Sequence, residues 1–466
     1  VSAIRPIYEP LFAETKDGLE YYLADKLDIS EDGLTYTLHI NDKATWSDGE
    51  PVTVKDIKFT IDYGVLVYGG PTSFTKVNGG EVQINEIDDK TMEFVLPSVY
   101  DNYVRTLSQF YPMPAHAFDN DPSKINDSTY FKTPGMATSG AYVVSEINED
   151  SFVYTARDDY YRGTPSVKKV VIKTIGSGST KQIEFENGGI DYMRVTSAED
   201  LKKYKEESDK YNMYSISEAR LNYLQLNPHG PVMSTLSQDA RKAIFLALDK
   251  DAIVDFAWGS DELAEPANSL ITPDQSIYNK DCKGYNFNLE EAKKLAKSSG
   301  LEGKELTYIY NSDRANMEAV ATVVQQQLAE IGVTVNIESC DTSTFFPRFF
   351  ASKDKELATR WDLGTNGWDS QRGSNCGQAI SYFTNRLCDC GYSDEVSGLA
   401  QKAIGTADAK EKQELWNTIQ DKALEECWEY PLTYTNFVMV SQKNVTGLDG
   451  SSVVPEFIDY LSIHVD

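Results

Sequence analysis

The sequence predicts an α/β protein with a mostly parallel sheet and more than one domain. Residues 306–310 have the pattern of a strand, residues 317–331 that of a long helix, and residues 333–337 that of a second strand. This β-α-β order favours parallel strands with the helix packed across them. The chain has 466 residues, 41% of them hydrophobic, so it is long enough to form two or three domains.

Short periodic patterns predict the other elements. In residues 35–40, apolar side chains alternate with polar ones, which is the period-two pattern of a half-buried strand. Residues 46–49 form a polar turn, and the apolar segment that follows residue 53 is consistent with the start of a helix. Further strands are expected at residues 82–87, 91–96, 221–227 and 430–440, and further helices at 239–250, 289–296 and, as a pair, within 395–427.

The charge of the chain excludes some classes of partner. It carries 44 Lys and Arg against 72 Asp and Glu, a net charge of −28, and the acidic excess is spread along the chain. Nucleic acid is therefore not an expected partner, because phosphate binding needs a basic face. No run of eighteen apolar residues predicts a membrane span. Val1 does not begin a signal peptide, so we expect a processed chain whose targeting segment is absent.

Two segments of the chain resemble the signature of a known family. Residues 32–38 read DGLTYTL and residues 46–57 read WSDGEPVTVKDI. In order and spacing they closely resemble the family 5 extracellular solute-binding proteins, the peptide-binding type that serves ATP-driven importers. Other segments resemble weaker landmarks of the same family: residues 7–12, 138–143, 157–165, 186–192 and 239–250. The resemblance extends from Ile7 to about Asn444.

This resemblance implies a bilobal, periplasmic-binding-protein-like fold of type II, in its large three-subdomain form, with a ligand cleft between the lobes. The first lobe would comprise residues 1–19, 132–227 and 441–466, with residues 20–131 as its accessory subdomain, and the second lobe residues 228–440. Such a protein captures a peptide or another polar solute by hinge closure and delivers it to a membrane permease. It is expected to be a monomer without cofactor, metal or enzymatic activity, either lipid-anchored at the extracellular face of the membrane or periplasmic.

The resemblance also implies where ligand binds. Gly367 and Trp368 match a Gly-Trp pair that ends a strand in the family, where the exposed backbone pairs with extended peptides. Peptide-binding relatives carry an aspartate three residues beyond that tryptophan, which binds the ligand's ammonium group. Here that position is Gln371, so the ion pair is lost unless Asp369 replaces it. Arg372 completes the expected contacts of this segment.

A second group of ligand contacts is expected elsewhere in the chain. Dipeptide-specific relatives bind the ligand carboxylate with an arginine in the loop before the long helix, and that position is Asn311 here, with Arg314 three residues further on. Trp258 is expected as an aromatic contact, and Glu9 and Ser139 as contacts from the first lobe. Each expected contact has a structural alternative: the tryptophans as core residues, the amides as turn caps and the arginines as surface charges.

Neutral residues at both anchor positions argue against a short zwitterionic peptide, because a terminus without a counter-charge in a closed cleft costs several kcal/mol. Two ligand classes remain: a peptide bound mainly through its backbone, and an oligosaccharide bound by aromatic rings and amides. A secreted carbohydrate-active hydrolase is the alternative from another class. The chain has no nucleophile elbow, metalloprotease motif or phosphate-binding loop, and its four histidines are scattered, which disfavours a multi-histidine metal site.

The cysteines all lie in the second half of the chain, and no two of them form a Cys-x-x-Cys pair. Dipeptide-binding members of the resembled family carry a local disulfide, which implies a bridge from Cys376 to Cys388 or Cys390. Free buried thiols are the alternative. The six positions are Cys282, Cys340, Cys376, Cys388, Cys390 and Cys427.

Overall fold

The computed structural model of the protein describes residues 4–15, 18–100, 102–108, 110–176, 178–350, 355–369, 382–384, 389–448 and 459–466. Its strands are β1 Phe12–Thr15, β2 Gly18–Tyr21, β3 Ala24–Ile29, β4 Thr35–Ile40, β5 Lys76–Val77, β6 Gly80–Glu81, β7 Gln83–Glu86, β8 Thr91–Val95, β9 Tyr142–Ile147, β10 Ser151–Ala156, β11 Lys169–Lys173, β12 Tyr192–Val195, β13 Tyr211–Leu226, β14 Ala264–Pro266, β15 Glu305–Asn311, β16 Thr334–Cys340, β17 Leu363–Asp369, β18 Glu429–Gln442, β19 Val445–Thr446 and β20 His464–Val465.

Its α-helices are α1 Val54–Tyr68, α2 Tyr103–Ser108, α3 Gly178–Glu186, α4 Ala198–Glu206, α5 Gln238–Ala247, α6 Lys250–Ala257, α7 Leu289–Ser299, α8 Met317–Ala329, α9 Thr342–Phe349, α10 Lys355–Ala358, α11 Asp394–Ile404 and α12 Ala409–Glu426. Strands and helices are present at all the positions expected from the periodic patterns, but β13 begins ten residues before its expected start and the segment 239–250 contains two helices. No helix in the described ranges is long and apolar enough to cross a membrane.

The chain forms two compact units. Unit 1 comprises Val1–Arg194, Glu207–Tyr214 and Met439–Asp466, and unit 2 comprises Val195–Glu206 and Ser215–Val438. Strands β13 and β18 contribute residues to both units. The lobe boundaries and the accessory subdomain expected from the family resemblance stay a prediction.

In unit 1, helix α1 and a four-stranded antiparallel sheet of order β3-β4-β8-β7 contain the segment with the family-like signature. Thr53 and Asp56 form a capping box at the start of α1, and the Asp56 carboxylate accepts hydrogen bonds from Trp46 Nε1 at 3.3 Å, the Thr53 amide at 2.9 Å and the Ala115 amide at 2.9 Å. The signature residues Trp46, Thr53 and Asp56 therefore stabilise unit 1 from within.

A buried arginine connects two loops of unit 1. The Arg157 side chain is 2% exposed and lies just after β10, which belongs to a three-stranded sheet of order β11-β10-β9. Its guanidinium donates to the carbonyl oxygens of Thr45 at 3.2 Å, Trp46 at 3.2 Å and Thr138 at 3.0 Å. One planar group thus holds the 45–46 loop against the turn at residue 138.

The sheet of unit 2 is mixed rather than mostly parallel, which corrects the expectation. Its strands lie in the order β18-β13-β17-β15-β16, with β14 on the other edge of β18. Strand β15 is parallel to both β16 and β17, whereas β17 is antiparallel to β13. The parallel pairs follow the helical crossovers through α8 and α9, and β13 belongs to neither crossover, so its direction is not constrained by them.

The expected helix at residues 239–250 is two helices, α5 and α6. The chain leaves the helical conformation at Leu248, and Asp249 accepts a hydrogen bond from the Ala252 amide at 3.2 Å, which caps α6. An aspartate inside an apolar helical pattern can start a second helix, and the pattern alone did not distinguish the two cases.

Glu429, the first residue of β18, is a fully buried carboxyl group without a cationic partner among the described residues. Tyr392 donates a hydrogen bond to its Oε2 at 2.7 Å, and its Oε1 has no partner in the described structure. Burial raises the pKa of Glu429 to about 8. The unfolded chain loses this proton near pH 4.5, so the native state becomes less stable as the pH rises from there to about 8.

We expect Glu429→Gln to remove this pH dependence. From pH 5 to pH 8, the wild-type free energy of unfolding should fall by about 3 kcal/mol more than that of the variant, because only the wild type holds a proton that the unfolded chain has released. Urea unfolding at the two pH values measures the difference. The exposed Glu425→Gln variant is the control and should behave like the wild type. Parallel losses in Glu429→Gln and wild type would contradict the prediction.

Candidate functional site

Strand β17 of unit 2 has a backbone edge that is only partly covered. It pairs with β13 along its whole length, from Leu363 opposite Leu226 to Asp369 opposite Arg220. On its other side it pairs with β15 only as far as Thr365. Three of its seven residues therefore have β15 as a neighbour, and the remaining four, 366–369, have no second strand beside them in the described ranges. Such an edge can form main-chain hydrogen bonds with an extended ligand.

Gly367 lies in this open edge, and a larger residue there would have to displace the Arg220 guanidinium. A Cβ atom on Gly367 would be 2.5 Å from Arg220 Nη2, so the missing side chain makes room for the guanidinium. Arg220 Nε donates to Asn222 Oδ1 at 3.1 Å, and Asn222 Nδ2 donates to Thr433 Oγ1 at 3.1 Å. This polar row across β13 and β18 was not among the expected site residues. Its only sequence signal is the alternation of Arg220 and Asn222 in a strand pattern.

We expect Gly367→Ala to lower the free energy of unfolding by about 1–2 kcal/mol, because the new methyl group displaces the guanidinium and breaks its hydrogen bond to Asn222. In an Arg220→Ala background the same substitution should cost less than about 0.5 kcal/mol, because the obstructing group is gone. Urea unfolding of the four proteins in this double-mutant cycle measures both effects. If Gly367→Ala lowered the free energy of unfolding equally in both backgrounds, the Arg220 side chain would not be in contact with residue 367.

The two expected aromatic contacts are buried in unit 2. Trp368 is 1% exposed, and its ring packs against those of Tyr223, Tyr382 and Phe383 at centroid distances of 5.7, 4.7 and 6.1 Å. Its Nε1 has no hydrogen-bond partner in the described part of the chain. Trp258 ends helix α6 and is also buried. Both indoles thus have the packing of core residues, and contact of either ring with ligand stays a prediction.

Asn311 is the last residue of β15, one position beyond the last β15–β17 pair, so the structure brings it close to the open edge. It is 1% exposed. Its Nδ2 donates to Thr342 Oγ1 at 3.1 Å and its Oδ1 accepts from the Asp313 amide at 3.0 Å, which is a turn-capping arrangement. Arg314 places its guanidinium 5.7 Å from the ring centre of Phe346. Their role as ligand contacts stays a prediction.

In unit 1, Glu9 and Ser139 are parts of a buried network. The Glu9 carboxylate accepts hydrogen bonds from the hydroxyl groups of Tyr160 and Tyr161, the latter at 2.7 Å, and from Arg162 Nη1 at 3.0 Å. Ser139 Oγ accepts from the Glu9 amide at 3.2 Å. Both side chains therefore have partners inside unit 1, and their contact with ligand stays a prediction.

Three expected ligand contacts fall partly or wholly outside the described residues. Gln371 and Arg372 lie beyond residue 369, and only the backbone of Asp369 is described, directly opposite Arg220. Cys376 and Cys388 also lie outside, so the expected disulfide stays a prediction. Cys282, Cys340 and Cys427 are buried thiols, and burial raises the pKa of Cys427 to about 11.

The backbone of β17 at residues 366–369 offers groups for main-chain hydrogen bonding. In the part of the chain that the structure describes, no group of three His, Cys, Asp or Glu side chains is placed to hold a metal ion. Residues 366–369 of β17 have peptide N–H and C=O groups beyond the last β15–β17 pair, whereas the nearby carboxamides of Asn222 and Asn311 are buried and hydrogen-bonded to Thr433 and Thr342. This arrangement suits an extended polar ligand.

Comparison with known proteins finds similar sequences and similar structures. A family model described as bacterial extracellular solute-binding proteins, family 5 Middle, matches residues 18–386. A putative ABC transporter peptide-binding protein from Brucella abortus (strain 2308) is 26% identical over 348 residues, which are 72% of this chain and 64% of that protein. The chain thus matches a little less than two thirds of the length of this relative.

Several solved structures match the whole chain, and two of them are described below. The ABC transporter substrate binding protein CtaP from Listeria monocytogenes is 28% identical, with a TM-score of 0.88 over 100% of this chain and 94% of that one. A putative peptide binding protein, AppA from Clostridium difficile, is 26% identical, with a TM-score of 0.89 over 100% and 96%. The expected fold class, α/β and periplasmic-binding-protein-like, is confirmed by these similarities.

Proposed function

The chain belongs to the family 5 bacterial extracellular solute-binding proteins, and from this membership we propose that it is the substrate-binding subunit of an ABC importer for peptides. In this proposal it captures an extended peptide outside the cell, closes on it by a hinge motion and delivers it to the permease. The protein breaks no bond in its ligand. The relatives described by name as peptide-binding proteins support the choice of ligand.

The observation that carries the proposal is the open edge of β17 at residues 366–369. A peptide in extended conformation can lie beside these residues, in line with β15, and continue the sheet through main-chain hydrogen bonds. Such bonds are the same for every peptide sequence, so we propose broad rather than strict selection of side chains. Gly367 belongs to this edge, and the Arg220 guanidinium packs against its α-carbon.

Location and assembly are further parts of the proposal. The name of the family places its members outside the cytoplasm, and we propose that this chain acts at the extracellular face of the membrane with a lipid anchor, or in the periplasm, as a monomer. Fractionation of the native host, followed by detergent partitioning of the membrane fraction, tests the anchor. Recovery of the protein in the cytoplasm would contradict the proposal.

Native mass spectrometry of protein purified from rich medium tests the ligand class. We expect a range of bound masses that dissociate on mild activation and have the fragmentation of peptides. A ladder spaced by hexose masses would instead identify an oligosaccharide-binding protein of the same fold. Turnover of a peptide or glycoside panel would contradict the proposed absence of catalysis.

A further inference from the structure

We infer that unit 2 has a small-molecule site apart from the open edge of β17, and that this site binds a free α-amino acid. The site is a solvent-exposed cavity of about 630 Å³, a volume in the range of small-molecule sites. Its lining residues come from β16, α9, α10 and the turn before β17, and they are Glu338, Thr344, Pro347, Arg348, Leu357 and Arg360. None of these six belongs to residues 366–369, so the inference does not rest on the proposed function.

The Arg348 guanidinium, on helix α9, connects the walls of the cavity. Its Nη2 donates to Glu338 Oε2 at 2.7 Å and to the carbonyl oxygen of Arg360 at 2.8 Å. Its Nη1 donates to Cys340 Sγ at 3.6 Å. The Arg348 side chain is only 15% exposed. These charge-assisted bonds hold the Glu338 carboxylate and the backbone of Arg360 on either side of one nitrogen atom.

Aromatic packing anchors the helix that carries Arg348. Trp361 Nε1 donates to the carbonyl oxygen of Arg348 at 3.1 Å. The Trp361 ring stacks on Phe349 at a centroid distance of 5.0 Å, and Phe349 stacks on Phe345 at 5.1 Å. All three rings are buried. The cavity is therefore formed before a ligand arrives, and binding does not have to order helix α9.

The lining offers one negative and one positive group that a ligand can reach. The Glu338 side chain is 50% exposed, and within the described ranges its Oε1 accepts no hydrogen bond, since Arg348 uses Oε2. The Arg360 side chain is 52% exposed, and its guanidinium pairs with Glu356 four residues earlier. An exposed ion pair of this kind contributes little to stability. Both charges can thus bind a ligand at small cost to the fold.

These charges favour a ligand that carries both an ammonium and a carboxylate group. A simple anion beside Arg360 would be repelled by the Glu338 carboxylate, and a simple cation would be repelled by the two guanidinium groups. A zwitterion satisfies both charges, with its carboxylate on Arg360 and its ammonium on Glu338. Pro347 and Leu357 add apolar surface, which favours an apolar side chain. A free α-amino acid such as leucine has all three groups on one carbon atom.

A ligand-observed NMR titration of the full chain tests the chemical class. The probes are L-leucine, 4-methylpentanoate, which lacks the amino group, and 3-methylbutylamine, which lacks the carboxylate. We expect leucine to bind saturably with a Kd on the order of 1 mM. Each analogue should bind at least about fivefold more weakly, because it loses a charge-assisted hydrogen bond. Absence of saturable leucine binding, or a smaller difference for either analogue, would overturn the inference.

Two variants test the position of the site. Arg360→Gln and Glu338→Gln each remove one charge at an exposed residue, and each should weaken leucine binding at least about fivefold while the protein stays folded by circular dichroism. Lys410→Gln and Glu414→Gln are the matched controls, because these residues form an exposed ion pair on α12, and both should bind leucine like the wild type. Unchanged leucine affinity in either site variant, or an equal loss in the controls, would overturn the inference.

Competition separates this site from the open edge of β17. In the presence of a saturating octapeptide pool, leucine should bind with unchanged affinity, because the lining residues differ from those of the edge. Displacement of leucine by the peptides would place it in the peptide site and overturn the inference. Failure of the peptides themselves to bind would contradict the proposed function, whereas the leucine titration and the two site variants would still decide the inference.

Discussion

Replacing Trp368 by alanine is expected to lower the free energy of unfolding by about 4 kcal/mol, because removal of a fully buried indole loses its transfer free energy and leaves a cavity. The ring is 1% exposed and contacts three aromatic rings, those of Tyr223, Tyr382 and Phe383. Urea unfolding followed by circular dichroism measures the change. A loss below about 1 kcal/mol would show that the ring is not part of the core of unit 2.

The conservative variant Trp368→Phe separates packing from ligand contact. Phenylalanine fills most of the space and keeps an apolar ring, so we expect a smaller loss, about 1–2 kcal/mol, and a peptide affinity within about threefold of the wild type. Stability close to wild type together with a tenfold weaker affinity would mean that the indole contacts ligand directly.

Replacing Arg157 by methionine is expected to lower the free energy of unfolding by about 4 kcal/mol, because the buried carbonyl oxygens of Thr45, Trp46 and Thr138 lose their shared donor. Methionine fills the volume of the side-chain stem but donates no hydrogen bond. Urea unfolding measures this loss, and hydrogen exchange should show faster exchange in residues 45–52.

Two control variants test whether the stability lost in Arg157→Met comes from the charge or from the hydrogen-bond geometry of the guanidinium. Arg157→Lys keeps the charge but cannot reach three separate carbonyl groups with one ammonium, so we expect it to recover less than half of the lost stability. Lys168→Met removes a cation from the same unit at an exposed position, where its side chain is 66% accessible, and should change stability by less than about 0.5 kcal/mol. Full recovery by lysine would mean that charge, rather than geometry, is what Arg157 contributes.

The comparison of predicted with observed helices and strands shows which structural features a local sequence pattern encodes. Alternation in residues 35–40 and helical spacing in residues 317–331 reflect contacts within a single element, and strand β4 and helix α8 lie there. The split between α5 and α6 was missed because it depends on one capping aspartate, Asp249. The mixed direction of the unit 2 sheet was missed because strand direction depends on how distant segments pair.

For the site, too, the sequence predicted some features, and others depend on which strands are neighbours. The Gly-Trp motif led to the strand whose edge is open, since Gly367 is in β17. The motif did not reveal that the Trp368 side chain lies in the core, because the two faces of a strand look alike until its neighbours are known. Arg220 was missed because it lies far from Gly367 in sequence and meets it only through the β13–β17 register.

The amino-acid sequence alone was sufficient for family membership and for the order of the elements, because the residues that carry the signature, such as Trp46 and Asp56, act locally to build unit 1. Tertiary structure was needed to learn that the pairing of β17 with β15 ends at Thr365, and that Arg220 is the residue in register with Asp369. Both are consequences of strand register between distant segments, since Tyr310 and Thr365 are 55 residues apart and Arg220 and Asp369 are 149 apart, and register is set by the packing of whole strands rather than by any short pattern.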